Sequence, residues 1–277
     1  MEARLFDLTK ILGQMGSMVV AYSGGVDSTL LLQVARNVLG DRVIAVTGKS
    51  PTYPEKECEE ARTLAKQIGV KHLTIVTEEL EQREYSDNPP NRCYYCKREL
   101  FLKLLAIARQ EGLEWIADGT NCDDLKDHRP GRIAAEELGV RSPLCEARLT
   151  KEDIRALSRQ LGLPTWNKPP QACLASRIPY GTTITAPKLE RISQAEDYLL
   201  ALGLRQVRVR DHGNVARIEV DPERIGLLVD EVRRLEVVNK LRSLGYVYVS
   251  VDLEGYRTGS LNEVLETANL GPDSCGP

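Results

Sequence analysis

Apolar positions switch between two periods along the first half of this chain. Leu5, Leu8, Leu12 and Met15 recur at helical spacing and predict an amphipathic first helix. Met18–Ala21 is a short unbroken apolar run, read as a buried strand, and Leu30–Leu39 returns to helical content. Arg42–Thr47 reads as a second strand. Pro54 opens a helix whose apolar positions are Cys58, Ala61, Leu64, Ala65 and Ile68, so Cys58 is expected in the core. Lys71–Thr77 is a third strand. A polar stretch, Glu78–Arg92, is interrupted by Asn88-Pro89-Pro90-Asn91, which cannot continue a helix. Leu100–Gln110 is then helical and Glu114–Asp118 a fourth strand. Strands alternating with helices through short turns imply right-handed crossovers. The expected fold class is α/β, with a doubly wound parallel sheet.

The pattern changes in the second half. Arg141–Glu146 reads as a short strand or extended segment. Thr150, with Asp153 three residues on, reads as a helix N-cap, and that helix runs to about Leu161. Leu163–Gly181 carries Pro164, Pro169, Pro170 and Pro179, which predict an ordered loop and a domain boundary. Pro187–Leu202 is helical, with Leu189, Ile192, Ala195 and Leu199 on one face. Arg205–Arg210 and Val215–Val220 alternate apolar and polar around Asp-His-Gly-Asn, which predicts a hairpin. Pro222–Leu244 reads as one long helix and Val247–Leu253 as a last strand. The expected organisation is a domain over 1–165, a cysteine-bearing loop over 166–186, and a smaller α+β domain of order α-β-β-α-β over 187–277. The tail after Ala268 reads as frayed, and Cys275 has no evident role.

Composition narrows the function classes. The chain has 277 residues, 42% hydrophobic, with a net charge of −3, enough apolar content for two cores and no basic excess. Nucleic acid is therefore not the expected partner. No apolar run is long enough to cross a membrane, and Met-Glu-Ala-Arg does not open a signal sequence. The expected location is the cytoplasm. Seven cysteines there point to thiols, metal ligands or catalysis rather than a disulfide frame.

Three segments carry candidate chemistry. Ser23-Gly24-Gly25-Val26-Asp27-Ser28 joins the first strand to the next helix. Glycines let the backbone turn tightly around an anion, and the first helical amides point at it. Asp27 would repel a bare phosphate and so implies a bridging magnesium ion. No Gly-Lys-Ser/Thr follows, so this is not the lysine-bearing P-loop. Gly119-Thr120-Asn121-Cys122-Asp123-Asp124 follows the fourth strand. In an open parallel sheet, ligands sit beyond the carboxyl ends of strands, so the two loops are expected to share one crevice. Cys93 and Cys96 form a C-x-x-C. It admits a redox pair, two ligands of a zinc site lacking the other two, or, with Cys173, three thiolates of a 4Fe-4S cluster with one open iron. Cys173 itself lies in a proline-rich loop with Arg177 four residues on, a setting for a reactive thiolate as well as for a buried one.

In order along the chain, Ser-Gly-Gly-Val-Asp-Ser, Gly-Thr-Asn-x-Asp-Asp, Pro-Pro-x-Ala-Cys-Leu-Ala-Ser-Arg and Gly255-Tyr256-Arg257-Thr258-Gly259 resemble the LarE family. That family belongs to the PP-loop ATP pyrophosphatases, whose catalytic domain is adenine nucleotide alpha hydrolase-like. The resemblance implies an ATP-dependent sulfur transferase that adenylates a carboxylate of pyridinium-3,5-biscarboxylic acid mononucleotide and makes it a thiocarboxylate. It implies ATP and Mg2+, with Ser23, Gly24, Gly25, Asp27, Ser28, Gly48, Ser50, Gly119, Thr120, Asn121 and Asp124 holding nucleotide and Asp27 the metal. Arg177, Arg208, Arg210 and Arg257 are the implied substrate contacts, with Glu196 a further candidate for an ion. Cys173 is the implied catalytic residue. Either its sulfur is spent, or Cys93, Cys96 and Cys173 hold a 4Fe-4S cluster; three cysteines favour the cluster. The partner is a small nucleotide substrate, and a homo-oligomer is expected. A tRNA thiolase, an amide-forming synthetase of the NAD or GMP type, and a non-catalytic nucleotide-binding regulator are the competing readings.

Overall fold

The computed structural model describes residues 2–126, 130–170 and 172–265. His128, Arg129, Gln171 and Cys275 lie outside them. The chain forms two compact units, 1–171 and 172–277.

Unit 1 opens with α1 (Glu2–Met15), β1 (Met18–Ala21), α2 (Val26–Leu39), β2 (Val43–Lys49), α3 (Glu55–Ile68) and β3 (Lys71–Val76). After a short 3-10 turn come α4 (Arg83–Ser86), α5 (Arg92–Glu111) and β4 (Trp115–Ala117). The four strands are parallel in the order β3-β2-β1-β4. Both faces of this sheet are covered, and the alternation of side chains decides which core each residue joins. Met18 and Val20 of β1 pack with Leu8, Leu12, Leu30 and Leu31 of α1 and α2. Val19, between them, packs with Phe101, Leu104 and Ala108 of α5. The doubly wound α/β sheet is therefore present. Chain order reverses between β1 and β4, which makes the carboxyl end of that pair the switch point where ligands bind.

Unit 1 continues with α6 (Pro130–Glu137), α7 (Pro143–Glu146) and α8 (Lys151–Gln160). Two segments depart from their sequence reading. Helix α5 starts at Arg92, not Leu100, so the C-x-x-C lies within its first turns. Cysteine, tyrosine and lysine there hide the apolar period, although the Lys97 ammonium lies 5.5 Å over the Phe101 ring. In 141–146 only Arg141 bridges to Ala117, and Pro143 then starts a helical turn. The cap at Thr150 is a full capping box. Its side chain accepts from the Asp153 amide, and the Asp153 carboxylate accepts from the Thr150 amide.

Unit 2 contains α9 (Ala186–Ala201), β5 (Val207–His212), β6 (Val215–Val220), α10 (Ile225–Val229), α11 (Glu231–Ser243) and β7 (Tyr248–Val251). β5 and β6 form the expected antiparallel hairpin, and β7 runs parallel to β6. α9 and α11 cover the sheet through Leu199, Val237 and Leu241. The single helix expected over 222–244 is broken at Asp230, whose backbone is extended (φ −52°, ψ 139°) and whose carboxylate accepts from the Arg233 amide. An aspartate that caps a helix start competes with continuing the previous one.

Unit 2 encloses a carboxylate. Asp211 is 0% exposed. It takes an ion pair from Arg191 (2.5 Å), an amide from Gly213 (2.9 Å) and the Tyr246 hydroxyl (3.3 Å). The Arg191 guanidinium also stacks 4.2 Å over the Tyr246 ring. Burial, then the Asp211 charge, push the Tyr246 phenol well above its ordinary value. Arg191→Ala strands that buried carboxylate and is expected to cost about 3–5 kcal/mol, read as a lower denaturation midpoint of the full chain. Arg191→Lys is expected to recover part of the loss.

Candidate active site

The β1–α2 turn is shaped by backbone crowding. Gly24 has φ +69°, and a Cβ there would lie 3.0 Å from the Ala61 Cβ and 3.1 Å from its Cα. Only glycine meets both demands. The turn is then tied internally. The Ser23 amide donates to Ser28 Oγ (3.3 Å), the two hydroxyls lie 3.1 Å apart, and the Gly25 amide donates to Ser23 Oγ (3.3 Å). Gly25 caps α2 without a side-chain partner. The first-turn amides of α2 have no intrahelical acceptor and lie at the positive end of the helix dipole.

The β4 loop closes on this turn. A Cβ at Gly119 would lie 3.1 Å from the Ser28 amide nitrogen and 3.4 Å from the Asp27 Cβ. Asp118, buried just before it, accepts from the Thr120 amide (3.1 Å), the Thr120 hydroxyl (2.7 Å) and the Ser142 hydroxyl (2.8 Å). Asn121 is buried, its amide donates to Asp124 Oδ2 (3.0 Å), and its Oδ1 accepts from the Asp123 amide (2.9 Å). Its Nδ2 reaches Asp27 Oδ1 at 3.3 Å. Ser23, Gly24, Gly25, Asp27 and Ser28 are thus brought together with Gly119, Thr120, Asn121 and Asp124.

A cation that sequence reasoning passed over sits at the same carboxylate. Lys151 Nζ lies 2.5 Å from Asp27 Oδ2, and the Lys151 amide donates to Asp123 Oδ2 (2.9 Å). The available signal was a lysine in the first turn of α8, where the helix dipole disfavours positive charge. Such a residue needs an anion from elsewhere in the fold, and Asp27 supplies it.

Gly48 and Ser50 lie at the end of β2. A Cβ at Gly48 would meet Leu100 and Thr77 at 3.3 Å, so this glycine lets α5 pack on the strand. Ser50 donates to Glu79 Oε1 (2.5 Å), as does Thr52 (2.8 Å). Cys93 and Cys96 lie one helical turn apart on α5, outside any disulfide, the first exposed and the second half-buried. Lys168 anchors the end of the unit to Glu57 (3.0 Å) and Glu60 (2.9 Å) of α3.

In unit 2, the half-buried thiol of Cys173 precedes a 3-10 turn, Leu174–Arg177. Buried Arg177 grips that segment. It makes a bidentate pair with Glu196 (2.8 Å each) and donates to the carbonyls of Ala172 (2.7 Å) and Cys173 (3.1 Å) and to Ser176 Oγ (2.9 Å). Arg210 pairs with Glu219 (2.9 and 2.7 Å) and donates to the Ser176 carbonyl (2.7 Å). Arg208, on the same strand face, donates to the Val207 carbonyl (2.7 Å) and stacks 5.3 Å over the Tyr256 ring. Burial, then the Arg177 charge, pull the Arg208 guanidinium below its ordinary value. Arg257 lies nearer the surface with Glu254 (2.6 Å) and Glu263 (3.0 Å). Arg177, Arg208 and Arg210 are therefore buried together. Among the described residues, no group of three His, Cys, Asp or Glu side chains is arranged to hold a metal ion.

Gly119→Ala places a methyl against the α2 backbone and is expected to weaken ATP binding at least about tenfold, a loss of about 1.4 kcal/mol. Isothermal titration checks this, with the melting temperature reporting on the fold. Lys151→Met is expected to weaken ATP binding similarly while leaving the capping box of α8 in place.

A family model described as NAD synthase matches residues 8–89, the segment from α1 through the loop before α5. A protein of Synechocystis sp. with no assigned function is 47% identical over 265 residues, covering 96% of this chain and 99% of that one. The pyridinium-3,5-bisthiocarboxylic acid mononucleotide synthase of Lactiplantibacillus plantarum is 40% identical over 267 residues, covering 95% of each. A GMP synthase of Phaeosphaeria nodorum is more distant, 26% identical over 226 residues. A likeness that spans both units, together with the nucleotide-loop geometry, places this chain in the LarE family of ATP-dependent sulfurtransferases, within the PP-loop ATP pyrophosphatases.

Proposed function

We propose that this enzyme adenylates a carboxylate of pyridinium-3,5-biscarboxylic acid mononucleotide and converts it to the thiocarboxylate, a step of nickel-pincer cofactor biosynthesis. The likeness to the Lactiplantibacillus plantarum synthase over nearly the whole of both chains carries this reading. The tRNA thiolase and amide-synthetase readings gain no support of that extent.

The chemistry follows from the leaving groups. Oxide cannot leave a carboxylate, so a carboxylate oxygen first attacks the α-phosphorus of ATP and pyrophosphate departs. Sulfur then attacks the acyl carbon and AMP departs. The turn 23–28 and the amides of α2 receive the pyrophosphate, and Gly119, Thr120, Asn121 and Asp124 complete that wall. Gly48 and Ser50 border the nucleoside. Asp27 is the residue proposed for magnesium: one carboxylate beside a phosphate cradle is the donor set this ion takes with nucleotides, and the long Asn121 contact at Oδ1 is the one that would yield to it. Magnesium bound there would neutralise charge on the phosphates. Lys151 balances the Asp27 charge before the nucleotide arrives. Arg177, Arg208, Arg210 and Arg257 are the cationic residues proposed to receive the acidic substrate, and Glu196 holds Arg177 and the Val209 amide (2.9 Å) in place.

Cys173 is the proposed catalytic residue. Three thiolates, those of Cys93, Cys96 and Cys173, are the donor set of a 4Fe-4S cluster with one open iron, and two of them lie one turn apart on α5. Such a cluster would supply a bound sulfide for transfer. The second reading, in which Cys173 gives up its own sulfur, rests on the rigid presentation of this residue by Arg177.

Cys173→Ser is expected to keep substrate-dependent pyrophosphate release and to abolish thiocarboxylate formation, read by mass spectrometry of the product. Protein purified without oxygen is expected to contain about four irons per chain. Iron-free protein that loses the mass of hydrogen sulfide from Cys173 after turnover would establish the spent-cysteine route instead. Loss of pyrophosphate release with every carboxylate substrate would overturn the enzyme reading.

A further inference from the structure

Two cysteines outside the proposed sulfur-transfer set lie against each other beside the nucleotide loop. Cys122 follows Asn121 directly, and Cys145 sits on α7. The Cys122 thiol donates to the backbone carbonyl of Cys145 at 3.5 Å, which sets its sulfur directly beside that residue. Both are free and half-buried. Each is joined by its neighbours to the site. Asn121 holds Asp27, while Ser142, at the start of α7, holds Asp118. The backbone is pinned on the far side of the pair, where the Cys122 amide donates to the Leu149 carbonyl (3.0 Å) two residues before Lys151.

We infer that Cys122 and Cys145 form a redox-sensitive thiol pair whose oxidation to a disulfide weakens nucleotide binding. The oxidant is a peroxide. One thiolate attacks the peroxide oxygen, giving a sulfenic acid and water. The second thiol attacks that sulfur, forming the S–S bond and releasing a second water. Two thiols and one hydrogen peroxide thus become one disulfide and two waters. Burial, with the neighbouring Cys122, pushes the Cys145 thiol up to about 11, so near neutrality it stays protonated and resists oxidation on its own. In the second step its proton leaves with the sulfenic hydroxyl as water.

The consequence for the site follows from adjacency. Bond formation draws Cys122 toward α7 and shifts Asn121 with it. The Asn121–Asp27 contact is already at 3.3 Å, long for a hydrogen bond, and is the first to be lost. The loss of affinity rests on the proposed nucleotide role of this loop; the disulfide itself does not.

The test treats full-length protein with a small excess of hydrogen peroxide, then maps its peptides without reduction. The expected result is a cross-linked pair containing Cys122 and Cys145, two hydrogens lighter than its parts and released by dithiothreitol. ATP affinity, measured by titration, is expected to fall about tenfold and to recover on reduction. In Cys145→Ser the cross-link is absent, reduced-state ATP affinity is unchanged, and peroxide no longer lowers it reversibly. Absence of the 122–145 peptide after oxidation, with Cys145→Ser and the parent chain equally sensitive, overturns the pair. A cross-link that forms with ATP affinity unchanged overturns its control of the site. Reduced protein that binds no ATP at all would instead sink the nucleotide reading while the mapped disulfide stands.

Discussion

The backbone of Gly119 against the first turn of α2 is the contact on which the arrangement of unit 1 depends. Two strands adjacent in the sheet but distant in sequence deliver their loops to one place, and side-chain volume would hold those loops apart. Removing the Cβ at Gly119 lets the β4 loop close, and removing it at Gly24 lets the β1 turn fit against Ala61 of α3. Once the backbones meet, Asn121 reaches Asp27 and Lys151 pairs with it from α8. An acidic side chain at the positive end of a helix is already favoured there. Pairing it with an amide and an ammonium sets its direction before any ligand enters.

Unit 2 handles charge in another way. Three arginines are buried among two glutamates, with Glu196 and Glu219 each holding one guanidinium by two bonds. Burying ions costs solvation unless their geometry is satisfied. Arg177 and Arg210 both meet the Ser176 segment, so the electrostatic cost of their burial is offset by contacts that also fix the backbone following Cys173. The sulfur-transfer role proposed for Cys173 would draw on such a backbone. The arginines implied as substrate contacts are thus also part of the scaffold that presents the cysteine.

The alternation of strand and helix, the β5–β6 hairpin, the cap at Thr150 and the glycine turn after β1 were legible in the chain. Each depends on period or on neighbours within a few residues, which the chain displays directly. The start of α5 was illegible because Cys93, Tyr94 and Lys97 carry no apolar period, and the break at Asp230 was hidden inside a continuous helical composition. Only the tertiary structure decided that Lys151 faces Asp27 across 124 positions of sequence, that Arg208 and Arg210 are buried rather than solvent-facing, and that Cys122 meets Cys145. The physical reason is common to all three. Charge pairing, desolvation and thiol contact depend on distances through space, and those distances exist only after the sheet has set the order of its strands.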